Sequence, residues 1–170
     1  DAGGGNGILK ILDEMKVDLN HIHHIFVTHE HTDHILGIVW MIRMICQNMN
    51  SGKYEGEATI YGHAEVISLL HNLVEQLLPK KQTRFIGDRL HLVCVSDAET
   101  RTINDRNVTF FDIESTKAKQ FGFSMDAPNL EKLVITMFVT YADRYIDAEM
   151  PKSWKKFISY KSGNIIAFLD

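Results

Sequence analysis

A β-prone run, His24-Ile25-Phe26-Val27-Thr28, passes directly into the polar segment His29-Glu30-His31-Thr32-Asp33-His34, and that segment passes into an apolar run from Ile35 to about Cys46. β-Branched and aromatic residues before the polar segment predict a short strand, and the apolar run behind it predicts a buried helix. A strand, a loaded loop and a buried helix must therefore follow one another within a few residues. Six of the nine histidines fall between His21 and His34, and the pattern His-x-His-x-Asp-His is far too specific to be a solvated loop. In extended chain alternate side chains share a face, so His29 and His31 can reach one cation while Asp33 and His34 arrive as the backbone bends into the helix. Imidazole nitrogen and carboxylate oxygen suit zinc, and the two groups of ligands predict neighbouring metal sites about 3.5–4 Å apart. His21, His23 and His24 precede the strand without a carboxylate partner, and solvation or packing accounts for them.

Composition bounds the rest. The 170 residues, 45% apolar and 24% charged, are enough for one domain, or part of one, with a real core. We therefore read 1–170 as a single partial domain. Apolar runs such as Ile35–Met44 stop far short of a membrane span, so no membrane partner is expected. The net charge of −4 lacks the basic field of a non-specific nucleic-acid binder. Cys46 and Cys94 form no CxxC pair and read as buried free thiols. Asp1-Ala-Gly-Gly-Gly-Asn-Gly carries neither an initiator Met nor a leader, so the chain is expected to begin inside a mature domain.

Periodicity predicts a helix over Ile8–Met15 behind the glycines, a strand over Ala58–Tyr61 and a helix over Ala64–Leu78 stopped by Pro79. Further strands are predicted at Leu90–Val95, Val108–Ile113 and Leu133–Tyr141, with Ile165–Leu169 a weaker β signal. Asn48–Lys53 reads as a loop, and there is no internal repeat.

Asp1-Ala-Gly-Gly-Gly, a helix, and a short strand into Thr28-His29-Glu30-His31-Thr32-Asp33-His34-Ile35-Leu36-Gly37 resemble the metallo-β-lactamase superfamily. The segment Phe110–Phe123 and the Tyr61-Gly62 turn resemble its ribonuclease Z branch, the likeness running from Asp1 to about Val134. The resemblance implies an α/β, four-layer αββα sandwich, here incomplete, in which two mixed sheets pack together under helices. It also implies a fragment, since the chain starts inside a family motif, and residues 135–170 leave the family pattern.

By the same resemblance His29 and His31 hold one zinc, and Asp33 and His34 hold the second. Asp33 also orients or deprotonates the attacking water, making it the catalytic residue, and Asp1 buttresses the loop from behind. Three departures modify that set. Glu114 stands where relatives carry a histidine ligand; the strand expected to end at Tyr141 leads to Asp143 without the family's Gly-Asp turn; and no histidine follows His91. Glu114 and Asp143 are thus the candidates to complete two Zn2+ sites, with one ion, or Mn2+, as the variant.

The implied activity is that of a zinc-dependent hydrolase resembling ribonuclease Z, the endoribonuclease that processes tRNA 3′ ends. A metal-bound hydroxide attacks a phosphodiester in a tRNA precursor or a small substrate. Lys117 and Lys119 beside the site would receive the phosphate, as would His63 at its turn, and Lys80, Lys81 and Arg84 form a second basic cluster. His71 and His91 read as structural. No long basic Gly-rich arm of the tRNA-gripping kind is present. The alternatives are thioester, ester or lactam hydrolysis on the same fold, and a non-catalytic truncated relative. A cytoplasmic location and a homodimer covering the incomplete sheet are further expectations.

Overall fold

The computed structural model describes residues 2–115, 118–127 and 130–135. The chain divides into two compact units, Asp1–Ser96 and Asp97–Asp170. In the first, helix α1 (Gly7–Glu14) and a single 3-10 turn (Leu19–His21) precede strand β1 (His24–Phe26). Helix α2 (Thr32–Asn50), strand β2 (Ala58–Gly62), helix α3 (Ala64–Leu77), the one-turn helix α4 (Lys80–Thr83) and strand β3 (Leu90–Cys94) follow.

The three strands form a parallel sheet in the order β1-β2-β3, with Phe26 opposite Tyr61 and Tyr61 opposite Val93. Parallel neighbours require crossovers, and α2 and α3 supply them. Consequently the carboxyl ends of β1 and β2 and the amino ends of α2 and α3 share one edge of the sheet, the edge where ligands bind in open α/β sheets.

The apolar stripe of α2, Ile35, Ile38, Ile42, Ile45 and Met49, repeats at helical spacing and is buried along its whole length. Val66, Leu70 and Val74 of α3 pack from a second helix into the same core, which also holds Ile60, Leu90 and Tyr54. The Tyr54 hydroxyl donates to the Ile22 carbonyl at 2.7 Å, satisfying the one polar atom of that buried ring. Gly37 is demanded by packing. A Cβ there would lie 1.7 Å from the Ala2 carbonyl oxygen, and its N–H donates to the Gly3 carbonyl at 2.9 Å.

The second unit is an antiparallel sheet in the order β4-β5-β6-β7, with β4 at Thr100–Ile103, β5 at Arg106–Asp112, β6 at Phe121–Ala127 and β7 at Leu130–Ile135. Among the described residues, Val108, Phe110 and Phe121 are its buried large apolar side chains. Among the described residues each sheet is thus of one kind rather than mixed, because helices connect the strands of the first and short links those of the second.

Several boundaries differ from expectation. β1 ends at Phe26 rather than Thr28, and α2 begins at Thr32 because His31 is held extended as its cap and Asp33 favours the first turn. α2 continues through Asn48–Asn50, expected as loop, where the Asn48 side chain donates to Asn20 Oδ1 at 2.8 Å. Cys46 is buried, its thiol pushed up to about 11 by desolvation, but Cys94 ends β3 and is exposed. β4 and β6 were not expected. Of the strand predicted at Leu133–Tyr141 only 133–135 lies among the described residues, and Ile165–Leu169 lies outside them. Among the described residues no helix is long and apolar enough to cross a membrane.

Candidate metal centre

The segment after β1 carries the histidines to the shared edge. His29 is buried, and its Nδ1 faces Thr28 Oγ1 at 2.9 Å. That contact aims Nε2 at His31 Nδ1, 3.1 Å away, with the two rings edge to face at 4.6 Å between centroids. The buried His34 ring lies 4.1 Å from that of His29, and its Nε2 is 3.3 Å from Asp33 Oδ2, while Asp33 itself is exposed. Three imidazoles and one carboxylate therefore gather at the amino end of α2, as a pair (His29, His31) beside a pair (Asp33, His34).

Burial lowers the His29 pKa to about 4, reinforced by repulsion from His34 and His31, so the ring is neutral at pH 7. A neutral imidazole is the ligating form. Two nitrogens bound to one zinc at about 2.0–2.1 Å stand roughly 3.3 Å apart in tetrahedral geometry, and the 3.1 Å between His29 and His31 matches that edge. The donor set fits a metal ion.

His63 caps α3 from the end of β2 and is almost wholly buried. Its Nε2 stands 3.6 Å from Glu30 Oε2 and its Nδ1 3.2 Å from Glu65 Oε2. Sequence reasoning reached His63 but neither glutamate. Alternation places Glu30 on the opposite face from His29 and His31, a signal that was available; the approach of Glu65 was not.

The other candidates are placed as follows. Glu114 belongs to the second unit, is exposed, and has a left-handed backbone (φ 54°) whose N–H donates to Asp112 Oδ1 at 2.8 Å. Lys119, exposed in that unit, lies over the Phe121 ring at 5.6 Å. Asp1, Lys117 and Asp143 lie outside the described residues. Lys80, Lys81 and Arg84 do not join the histidines. Arg84 donates to Asn50 Oδ1 at 2.8 Å, at the far end of α2, and nineteen residues of helix put about 28 Å between the two ends. Outside the centre, His23 meets the Glu57 carbonyl at 3.0 Å, and His91 and His71 pair with Glu57 and Glu75 at 3.1 and 3.8 Å. His24 packs against Tyr61 and His21 pairs with Asp18.

A parallel sheet whose first crossover helix begins at a His-x-His-x-Asp-His loop, followed in the chain by an antiparallel sheet, defines an α/β protein of the metallo-β-lactamase fold, and solved structures agree. The metallo-β-lactamase fold protein YhfI from Bacillus subtilis matches with a TM-score of 0.58 at 16% identity, over 81% of this chain and 50% of that one. The short form of human tRNase Z matches with a TM-score of 0.58 at 16% identity, over 81% and 57%. Yeast PDE1 matches with a TM-score of 0.54 at 21% identity, over 87% and 44%. The chain thus spans about half the length of these proteins. No curated protein matches its sequence. The family model described as anti-Pycsar protein Apyc1 matches residues 3–158, and the chain belongs to that family.

Proposed function

We propose that this chain is part of a metal-dependent hydrolase that cuts a phosphodiester, in the manner of the ribonuclease Z branch. The observation that carries the reading is the His29–His31 pair, with nitrogens 3.1 Å apart and the first ring kept neutral. His29 and His31 would hold one ion and His34 with Asp33 a second, as Zn2+ or Mn2+. Metal there would supply Lewis acidity and a water acidic enough to attack at neutral pH.

The protein's own part is orientation. Thr28 fixes the His29 ring, burial excludes bulk water from it, and Asp33, exposed and held beside His34, would hold or take the proton of an incoming water. Two helix amino termini at the same edge favour an anionic substrate, RNA such as a tRNA precursor or a small phosphodiester. Lys119 and Lys117 would contact its phosphate, Glu114 and Asp143 would complete the ligand set, Asp1 would brace the loop, and a second copy would pair with the chain in a cytoplasmic homodimer. The family description names what its members oppose rather than a bond, so the phosphodiester rests on this charge and on the resemblance of Phe110–Phe123.

The test is hydrolysis of bis(p-nitrophenyl) phosphate, a tRNA precursor and a thioester, each with added Zn2+ or Mn2+. Turnover of a phosphodiester that falls at least about a hundredfold in Asp33→Ala supports the reading. Turnover of the thioester alone moves the protein to the other branch of the fold's chemistry, and turnover of none, with metal bound, makes it non-catalytic.

A further inference from the structure

Two strand-to-helix turns at the shared edge are built alike. In each a histidine with extended backbone caps the helix and an acidic residue follows two positions later: His31 (φ −61°, ψ 146°) with Asp33 before α2, and His63 (φ −70°, ψ 169°) with Glu65 before α3. The first turn belongs to the motif; the second carries His63, expected from the sequence to face the substrate's phosphate, which instead lies between two carboxylates. Glu30, projecting away from the His29–His31 face, joins the second turn, and one ligating atom each from Glu30, His63 and Glu65 lie within 4.8 Å of one another.

We propose that Glu30, His63 and Glu65 form a cation site of their own, separate from the histidine motif, for a divalent first-row ion of the Zn2+ or Mn2+ kind. Charge is the first reason. Two carboxylates brought together around a buried ring carry a charge of −2, which a protonated His63 would only halve and a divalent ion cancels. The second reason is Glu30 Oε2, which is inaccessible to solvent and accepts no hydrogen bond, its neighbour being the His63 ring at 3.6 Å. A buried carboxylate oxygen left without a donor is costly, and a cation satisfies it.

The ligand chemistry is harder than that of the motif. One imidazole with two carboxylates suits Zn2+ or Mn2+, with water in the remaining positions. Bonds of about 2.0–2.2 Å require ligand atoms roughly 3.3 Å apart, so the triad must contract. Glu65, with 60% of its side chain exposed, is free to swing inwards without disturbing the core.

Equilibrium dialysis of the whole chain against Zn2+ alone, and separately against Mn2+ alone, tests the site without reference to turnover. Compared with the unsubstituted chain, Glu65→Gln and Glu30→Gln/Glu65→Gln are expected to weaken one equivalent at least about tenfold, while His29→Ala/His31→Ala keeps that equivalent. Unchanged stoichiometry and affinity in the double glutamine variant would mean a histidine held by two carboxylates and no cation, and would overturn the proposal. Loss of every equivalent in His29→Ala/His31→Ala, with its circular dichroism unchanged, would mean one shared centre and overturn it as well. The hydrolase reading fails on different variants, those of His29, His31 and Asp33, so the two outcomes stay distinguishable.

Discussion

His29 is the residue on which the centre turns, because its neutrality comes from burial while its direction comes from Thr28. In the unfolded chain its imidazole takes a proton at about 6.5; in the folded chain it does so only near 4. Protons therefore bind the unfolded state preferentially between those values. The metal-free protein is expected to keep its full stability above pH 6.5 and to lose on the order of 3 kcal/mol as pH falls towards 4, with no further loss from this group below that. Urea unfolding of the metal-free chain and of His29→Gln at several pH values checks this: the variant should show a flatter profile, and parallel profiles would remove His29 as the source. His29 and His31 were legible in the sequence because two residues of extended chain put them on one face. Glu65 was not, since its approach to Glu30 depends on β1 and β2 being parallel neighbours, a tertiary fact that no local spacing carries.

Among the elements, α2 shows how closely the site depends on packing. Its motif residues stand at the amino end, and five residues after Thr32 comes Gly37, against which the Ala2 backbone lies. Gly37→Ala puts a methyl 1.7 Å from a carbonyl oxygen, so either the Ala2 backbone or the helix must move. A loss of at least about 3 kcal/mol is expected, measured by chemical denaturation, with metal affinity falling in parallel as His34 is displaced. Retained stability would mean that the Ala2 segment yields freely. In the second unit the opposite change helps. The β4–β5 hairpin turns on two residues, Asn104 and Asp105, both left-handed (φ 49° and 59°), between the paired Ile103 and Arg106. That is a type I′ turn, which favours glycine at its second position. Asp105→Gly should raise the thermal midpoint, by an amount equivalent to about 1 kcal/mol or less. β4 escaped the sequence reading because its hairpin carries Asn-Asp where Asn-Gly would announce it, and β6 because Gly122 and Asp126 are poor strand formers, although Phe121, Phe123 and Met125 alternate. The long helices were legible where their apolar stripes repeat over several turns, but not at the polar ends of α2, Thr32–His34 and Asn48–Asn50.

For the molecule as a whole, the division at Ser96 separates two ways of building a sheet. Residues of the first unit close their own core: Ile42, Ile45, Ile60, Leu70 and Leu90 are wholly buried among α2, α3 and the three parallel strands, and Tyr54 finds its acceptor within the same unit. The motif histidines and the Glu30–His63–Glu65 triad lie there too. A chain of about a hundred residues with a core of that kind can fold alone. A fragment ending at Ser96 is therefore expected to unfold cooperatively and to hold the Tyr54 hydroxyl, pushed up to about 12 by burial in the whole chain, against titration until it unfolds. Ultraviolet titration of the fragment against the whole chain reads this directly, since Tyr54 and Tyr61 are the tyrosines it contains. A fragment whose tyrosines all ionise near 10 without cooperative unfolding would show that the parallel sheet depends on the rest of the chain. The metal centre, assembled on that sheet's edge, would then be a property of the longer protein and not of the unit that carries its histidines.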